Sequence, residues 1–377
     1  MKVSNAELQL AKDYFYSTFA EDEKYKEYRL DNNIDNDPRF LQHYYNKGIL
    51  KRIAGFFRSE YGRTYSKRTA NKLLWSNCKI LNQIVAYFLK SNSLLTRSIF
   101  SSLFVYKKRD FTLHTNYVHK NKDDEYYGAI ITYNVGLQNL SVFIVHYFAA
   151  FFNIENNRRA HKKSEKSLRQ IDLYRKAFNA SLIEYDNNGG EFYQDNEDAG
   201  IKIGIFSSLQ ATPLLAFQIG HEASHYMAKA KSIPKDLGVD GLIENSNIEI
   251  NSHKPSNLEI TCDVVSLVIM FATISPHKVN NAIGAIRGSV LTLTTLSVFE
   301  SKIEEVCDPI IEARFDALRL ILYQLMDRFQ GRDRLFLYSQ LSYLLHFQHE
   351  LYLQSKRGLG NYLEFYLKEL DEHWSKM

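Results

Sequence analysis

The sequence predicts a mainly α-helical protein with a small β-sheet, an α+β chain, and three observations carry that expectation. Only 6 Pro and 17 Gly punctuate 377 residues, too few for a turn-rich β architecture. Apolar residues recur at helical spacing over long stretches, as at Leu73, Leu74, Ile80, Leu81, Ile84, Val85 and Phe88. Strand-like patterning is confined to two neighbouring segments, 111–118 and 128–133, with a third candidate at 201–206.

In chain order, residues 1–110 read as a basic helical region, 111–330 as the core, and 331–377 as two helices packed on it. Between 47 and 122, sixteen Lys and Arg side chains face only Glu60 and Asp110, a field masked by a whole-chain charge of +4. Such a field suits nucleic acid or an acidic protein partner, or else a solvated face balancing acidic segments elsewhere. The two strand-like segments would pair as a hairpin across the polar 120–125. The apolar run 140–152 reads as a buried helix, and 154–178 as a charged one with a solvated face. Asn188, Gly189 and Gly190 open a loop that could act as a lid. The Tyr- and Phe-rich segments 335–353 and 362–374 read as core-packing helices rather than a cofactor site.

Composition narrows the function classes. Hydrophobic content of 45% with 24% charged residues is that of a globular chain with a sizeable core. Cys78, Cys262 and Cys307 are widely spaced and odd in number, which suits a reducing compartment. The first residues are polar rather than a signal sequence, and the longest apolar run found is 140–152, so the expectation is a cytoplasmic protein with no membrane partner. Neither a phosphate-binding P-loop nor a dinucleotide fingerprint is present.

His221, Glu222 and His225 fall as H-E-x-x-H. Four apart on a helix, the two His share a face and can present imidazole nitrogens to one ion. Glu222, about 100° further round, stays off that face yet within reach of a water at the metal. Thr212 and Pro213 supply an N-cap and a first-turn proline that would start the helix, and Leu214, Leu215, Phe217 and Ile219 carry an apolar run into the motif.

A catalytic zinc site needs a third protein ligand. The longer zincin pattern would place an imidazole where Lys231 stands, so it is absent. After Pro255 a second helical pattern presents Glu259 and Asp263, four apart on one face. Glu259 can reach the metal, while Asp263 can hold a ligand histidine in the right tautomer. Ser256 with Glu259 also fits a capping box, and Cys262 and His253 are rivals for the third position.

H-E-x-x-H followed by E-x-x-x-D on a second helix resembles the gluzincin metallopeptidases. Residues 127–137 are similar to the edge strand and helix entry of many compact bacterial members. More loosely, the arrangement is similar to Lit-like phage-exclusion peptidases. The resemblance implies a zincin-like metallopeptidase core, zinc bound by His221, His225 and Glu259, Glu222 as general base, and Asp263 supporting a ligand histidine. It also implies a Pro-then-Arg segment after the zinc helices, which Pro309 and Arg314 supply. Arg314 would then be the oxyanion donor, its alternative being an ion pair with Glu312 or Asp316; Tyr226 and His277 are further candidates for that role. The expected activity is hydrolysis of a peptide bond in an intracellular protein, in bacterial defence or regulation. Two other readings stay open: a basic nucleic-acid-binding protein with a structural zinc, and an interaction module whose site only holds helices together.

Overall fold

The computed structural model describes residues 101–106, 113–119, 126–159, 165–187, 205–229, 238–245, 255–273, 279–300 and 309–375. Among the described residues three strands come first: β1 (Ser101–Tyr106), β2 (Leu113–His119) and β3 (Tyr126–Asn134). β3 is central, with β1 parallel to it on one side and β2 antiparallel on the other; the β2 register shifts at Val118/His119. Among the described residues nine helices follow: α1 (Val135–Arg159), α2 (Glu165–Asn187), α3 (Ile205–Lys229), α4 (Val239–Asn245), α5 (Pro255–Thr273), α6 (Val279–Phe299), α7 (Pro309–Met326), α8 (Gly331–Ser355) and α9 (Asn361–Ser375). The basic 47–122 stretch lies outside the described residues apart from β1 and β2, as do the proposed turn at 120–125 and the loop after Asn187.

The α+β expectation, with a zincin-like core, is corrected to a mainly helical protein. Among the described side chains, every member of the hydrophobic core lies on a helix except Leu359, in the turn before α9. The helices pack on one another around buried residues such as Phe143, Tyr147, Phe217, Leu267, Leu322 and Tyr338. Helix-on-helix burial, rather than a sheet forming one layer of the core, accounts for the described interior.

Other boundaries change as well. The third strand is β1, a polar-started segment without clean alternation; the 201–206 candidate instead runs into α3 at Ile205. α3 starts a full two turns before Thr212, leaving Pro213 inside the helix, where it takes away one backbone donor. The charged stretch after 154 divides between the end of α1 and α2. Pro255 and Pro309 do sit at first helical positions, where a missing N–H costs nothing. Among the described residues the longest apolar segment is not 140–152 but Ala282–Phe299 in α6, long and apolar enough by composition to cross a membrane and 78% buried within the body. Its hydroxyl residues disguise it in sequence, because Ser289, Thr292, Thr294 and Thr295 each donate to the carbonyl four residues back.

α3 is the hub, contacting β2, β3, α1, α5 and α6. Two small-residue contacts fix it. A Cβ at Gly288 of α6 would lie 2.3 Å from the Pro213 carbonyl oxygen, so only glycine lets the two backbones meet. Further along, a Cβ at Gly220 would lie 2.4 Å from Ser266 Oγ of α5, and that hydroxyl donates to the Phe217 carbonyl at 2.7 Å. The second contact sets the spacing of α3 and α5 immediately beside His221.

Candidate metal centre

α3 brings His221 and His225 to one face, and α5 sets Glu259 opposite them. The separations are 3.0 Å between the two histidine Nε2 atoms, 3.1 Å from His221 Nε2 to Glu259 Oε2, and 3.3 Å from His225 Nε2 to Glu259 Oε1. A tetrahedral zinc with bonds of about 2.0–2.2 Å has donor–donor edges of about 3.3–3.6 Å. The two imidazole nitrogens and the Glu259 carboxylate, which meets them through different oxygens, therefore approach the spacing of one face of such a tetrahedron. Among the described residues these three form the one group of ligating side chains close enough to share an ion.

Behind the triangle lies a second layer of charge. His221 Nδ1 sits 2.7 Å from Asp263 Oδ1 and donates to it, leaving Nε2 to face His225 and Glu259. Arg314, on α7, donates through Nε to Asp263 Oδ2 at 2.8 Å and through Nη2 to Oδ1 at 3.0 Å; its Nη1 lies 3.3 Å from Glu259 Oε2. Three helices thus contribute to one buried network, with Asp263 1% exposed and His221 7%.

The titration behaviour follows from that network. Burial opposes charge on His221, but the Asp263 and Glu259 carboxylates outweigh it and take its pKa up to about 9 in the metal-free protein. His225 is pushed down to about 4 by burial and by the charge on His221. Burial would raise Asp263, yet Arg314 and His221 hold it at about 2. Glu259 is lowered in the same way: burial works against its charge, and His221 and Arg314 overcome it. Without metal the site carries a single imidazolium, on His221, between two carboxylates.

Each sequence candidate can now be placed. His221, His225, Glu259 and Asp263 meet. The carboxylate of Glu259 faces the two imidazoles and Arg314, while the Ser256 side chain of the rival capping box lies outside the described set. Arg314 is aimed at Asp263 and Glu259 rather than at Glu312 or Asp316. Glu222 is buried, 8% exposed, and close enough to help raise the Cys262 thiol pKa, after burial, Asp263 and Glu259. Cys262 is fully buried and not part of the ligand group, and burial together with the Asp263 and Glu259 carboxylates raises its thiol pKa. His253, His277 and the side chain of Tyr226 lie outside the described residues. The close packing that Gly220 allows is readable in the sequence, whereas its partner Ser266 and the Arg314–Asp263 pair are not. A signal that Arg314 has some buried partner does exist: it stands in an apolar face with Ile311, Phe315 and Leu318, where a cation needs one.

Compared with protein-family models, curated proteins and solved structures, the chain matches none.

Proposed function

We propose that this protein is a zinc-dependent endopeptidase acting on a protein target. One observation carries the reading: two imidazoles and a carboxylate from two helices approach the spacing of a tetrahedral face, and a buried carboxylate orients one imidazole from behind. Three protein donors leave one corner of the tetrahedron to a non-protein ligand, the stoichiometry of catalytic rather than closed structural zinc. The reading rests on this site and not on the fold, since the same chemistry recurs on unrelated folds.

A zinc ion held by His221, His225 and Glu259 would polarise the scissile carbonyl and acidify a water molecule. Glu222 accepts the proton of the attacking water as the carbon–oxygen bond forms, and returns it to the amine nitrogen as the carbon–nitrogen bond breaks. Asp263, held by Arg314, keeps the His221 ring in place. β2 is a sheet edge packed against α3, so a substrate strand added there would run beside the H-E-x-x-H helix.

The test is Glu222→Gln. Zinc content measured on purified protein should equal that of wild type. In cells expressing either form, a proteome-wide search for new protein termini should find a cleavage product with wild type alone. Termini that appear equally with both forms would remove Glu222 from the mechanism, and purified protein without stoichiometric zinc would remove the metal.

A further inference from the structure

Arg314 enters the metal centre from α7 with all three guanidinium nitrogens engaged. Nε and Nη2 donate to the two oxygens of Asp263 at 2.8 and 3.0 Å, which fixes the plane of the guanidinium. The third nitrogen, Nη1, then lies 3.3 Å from Glu259 Oε2. That oxygen is also the one facing His221 Nε2 at 3.1 Å, while Oε1 faces His225 Nε2 at 3.3 Å. The Arg314 side chain is 10% exposed and that of Glu259 29%, so the ion pair is only lightly screened by solvent.

Glu259 gains from such a neighbour in two ways. It stands four residues from Asp263 on α5, where two carboxylates repel each other, and a cation touching both offsets that repulsion. A glutamate also has three rotatable side-chain bonds, and an ion binding a free carboxylate would have to order them itself. Held beside Arg314, the carboxylate is already turned with one oxygen towards each imidazole. The planar fork is what allows this, since a lysine ammonium is a point charge with no frame to span two carboxylates at set angles.

We propose that Arg314 is a positioning residue for Glu259 in its own right, besides its hold on Asp263. One guanidinium then fixes two of the three donors, Glu259 directly and His221 through Asp263. The inference rests on the zinc reading of the site. Its sign sets it apart from plain electrostatics: removing a cation beside an incoming dication should tighten binding, whereas removing a positioning group should weaken it.

A double-mutant cycle on the full chain separates the two roles. Zinc affinity is measured by chelator competition for wild type, Asp263→Asn, Arg314→Met and the double variant, with denaturant unfolding of each metal-free protein in parallel. An Arg314 that acted through Asp263 alone would have nothing left to lose in the Asp263→Asn background. There, Arg314→Met should instead lower affinity by roughly a further tenfold, the lower bound for groups that support a ligand. Asp263→Asn/Arg314→Lys, whose ammonium is free to pair with Glu259, should recover most of that loss. Arg314→Gln replaces Arg314→Met throughout if the Met variants do not fold. With cobalt in place of zinc, the visible absorption should also differ between Asp263→Asn and the double variant, a change that lowered stability alone does not produce. A further loss below about threefold, well short of that bound, a tightening, or an unchanged cobalt spectrum would overturn the inference and leave the zinc reading standing. A wild type that binds no zinc would remove both.

Discussion

Gly220→Ala probes whether the spacing of α3 and α5 sets the metal centre. The added Cβ would meet Ser266 Oγ at 2.4 Å and Ser266 Cβ at 3.3 Å, where ordinary contact begins at 3.4 Å. Two responses are open to the structure. Ser266 can rotate, giving up its bond to the Phe217 carbonyl in a buried setting, or the helices can part by about 1 Å, on the scale of the displacements that disable positioned groups. The second response carries Glu259 away from His221 and His225. Overpacking of this kind costs about 1–3 kcal/mol, against roughly 1 kcal/mol regained because Ala is the better helix former. The metal-free variant should therefore lose about 0–2 kcal/mol, while zinc affinity falls by roughly tenfold to a hundredfold, the range seen when support behind a ligand is lost. Chelator competition measures the affinity and denaturant unfolding the stability. Gly220→Ala/Ser266→Ala removes the clashing oxygen and should recover most of the affinity. A single variant that binds zinc within about threefold of wild type, near the tenfold lower bound above, refutes the idea that this contact sets the site.

Arg314→Met should destabilise the metal-free protein by up to about 3–5 kcal/mol in denaturant unfolding, because buried Asp263 would lose both guanidinium bonds and keep only the His221 imidazolium as a partner; a loss below about 1 kcal/mol, the range of an exposed pair, would contradict that role. Apparent zinc affinity should fall by about tenfold per pH unit below about 9, since the ion must displace the His221 proton, and steepen near 4 as His225 also protonates; isothermal titration across pH tests it, and a flat profile from pH 8 to 6 would count against the pairing. Burial lowers the pKa of His146 to about 4, and its Nε2 has no partner. The unfolded chain binds that proton first, so stability is full above about 6.5 and declines as pH falls towards 4, by up to about 3 kcal/mol. His146→Leu should flatten that acid limb, and an unchanged slope in urea unfolding at pH 7 and 4.5 would show that His146 does not cause it.

The site was more legible in the sequence than the fold. H-E-x-x-H and the Glu259–Asp263 pair depend on spacing within one helix, which 3.6 residues per turn makes readable. Arg314 was found by its place after a proline, but its partner was not, because Asp263 is 51 residues away and spacing cannot reveal a contact between helices. The fold class suffered from the same limit. Alternation indicates that strands exist but not how much of the interior they cover, and here the core among the described side chains is helical. α6 escaped notice because its hydroxyls bond to their own backbone, so a polar-looking string behaves as an apolar rod. Pro213 misled for the opposite reason: a strong local start signal was overridden by packing against Gly288.

The two glycine contacts along α3 act together as a mechanical constraint. Pro213 against Gly288 and Gly220 against Ser266 stand seven residues apart, about 10 Å along the helix axis. A rod clamped at two such points can neither roll nor slide, so the triangle of donors has a nearly fixed size. An ion with bonds of about 2.0–2.2 Å suits it, whereas calcium, at about 2.3–2.6 Å and with six or more oxygens, would have to force two clamps at once. On the proposed reading, selection among ions lies in helix packing at residues outside the ligand triangle.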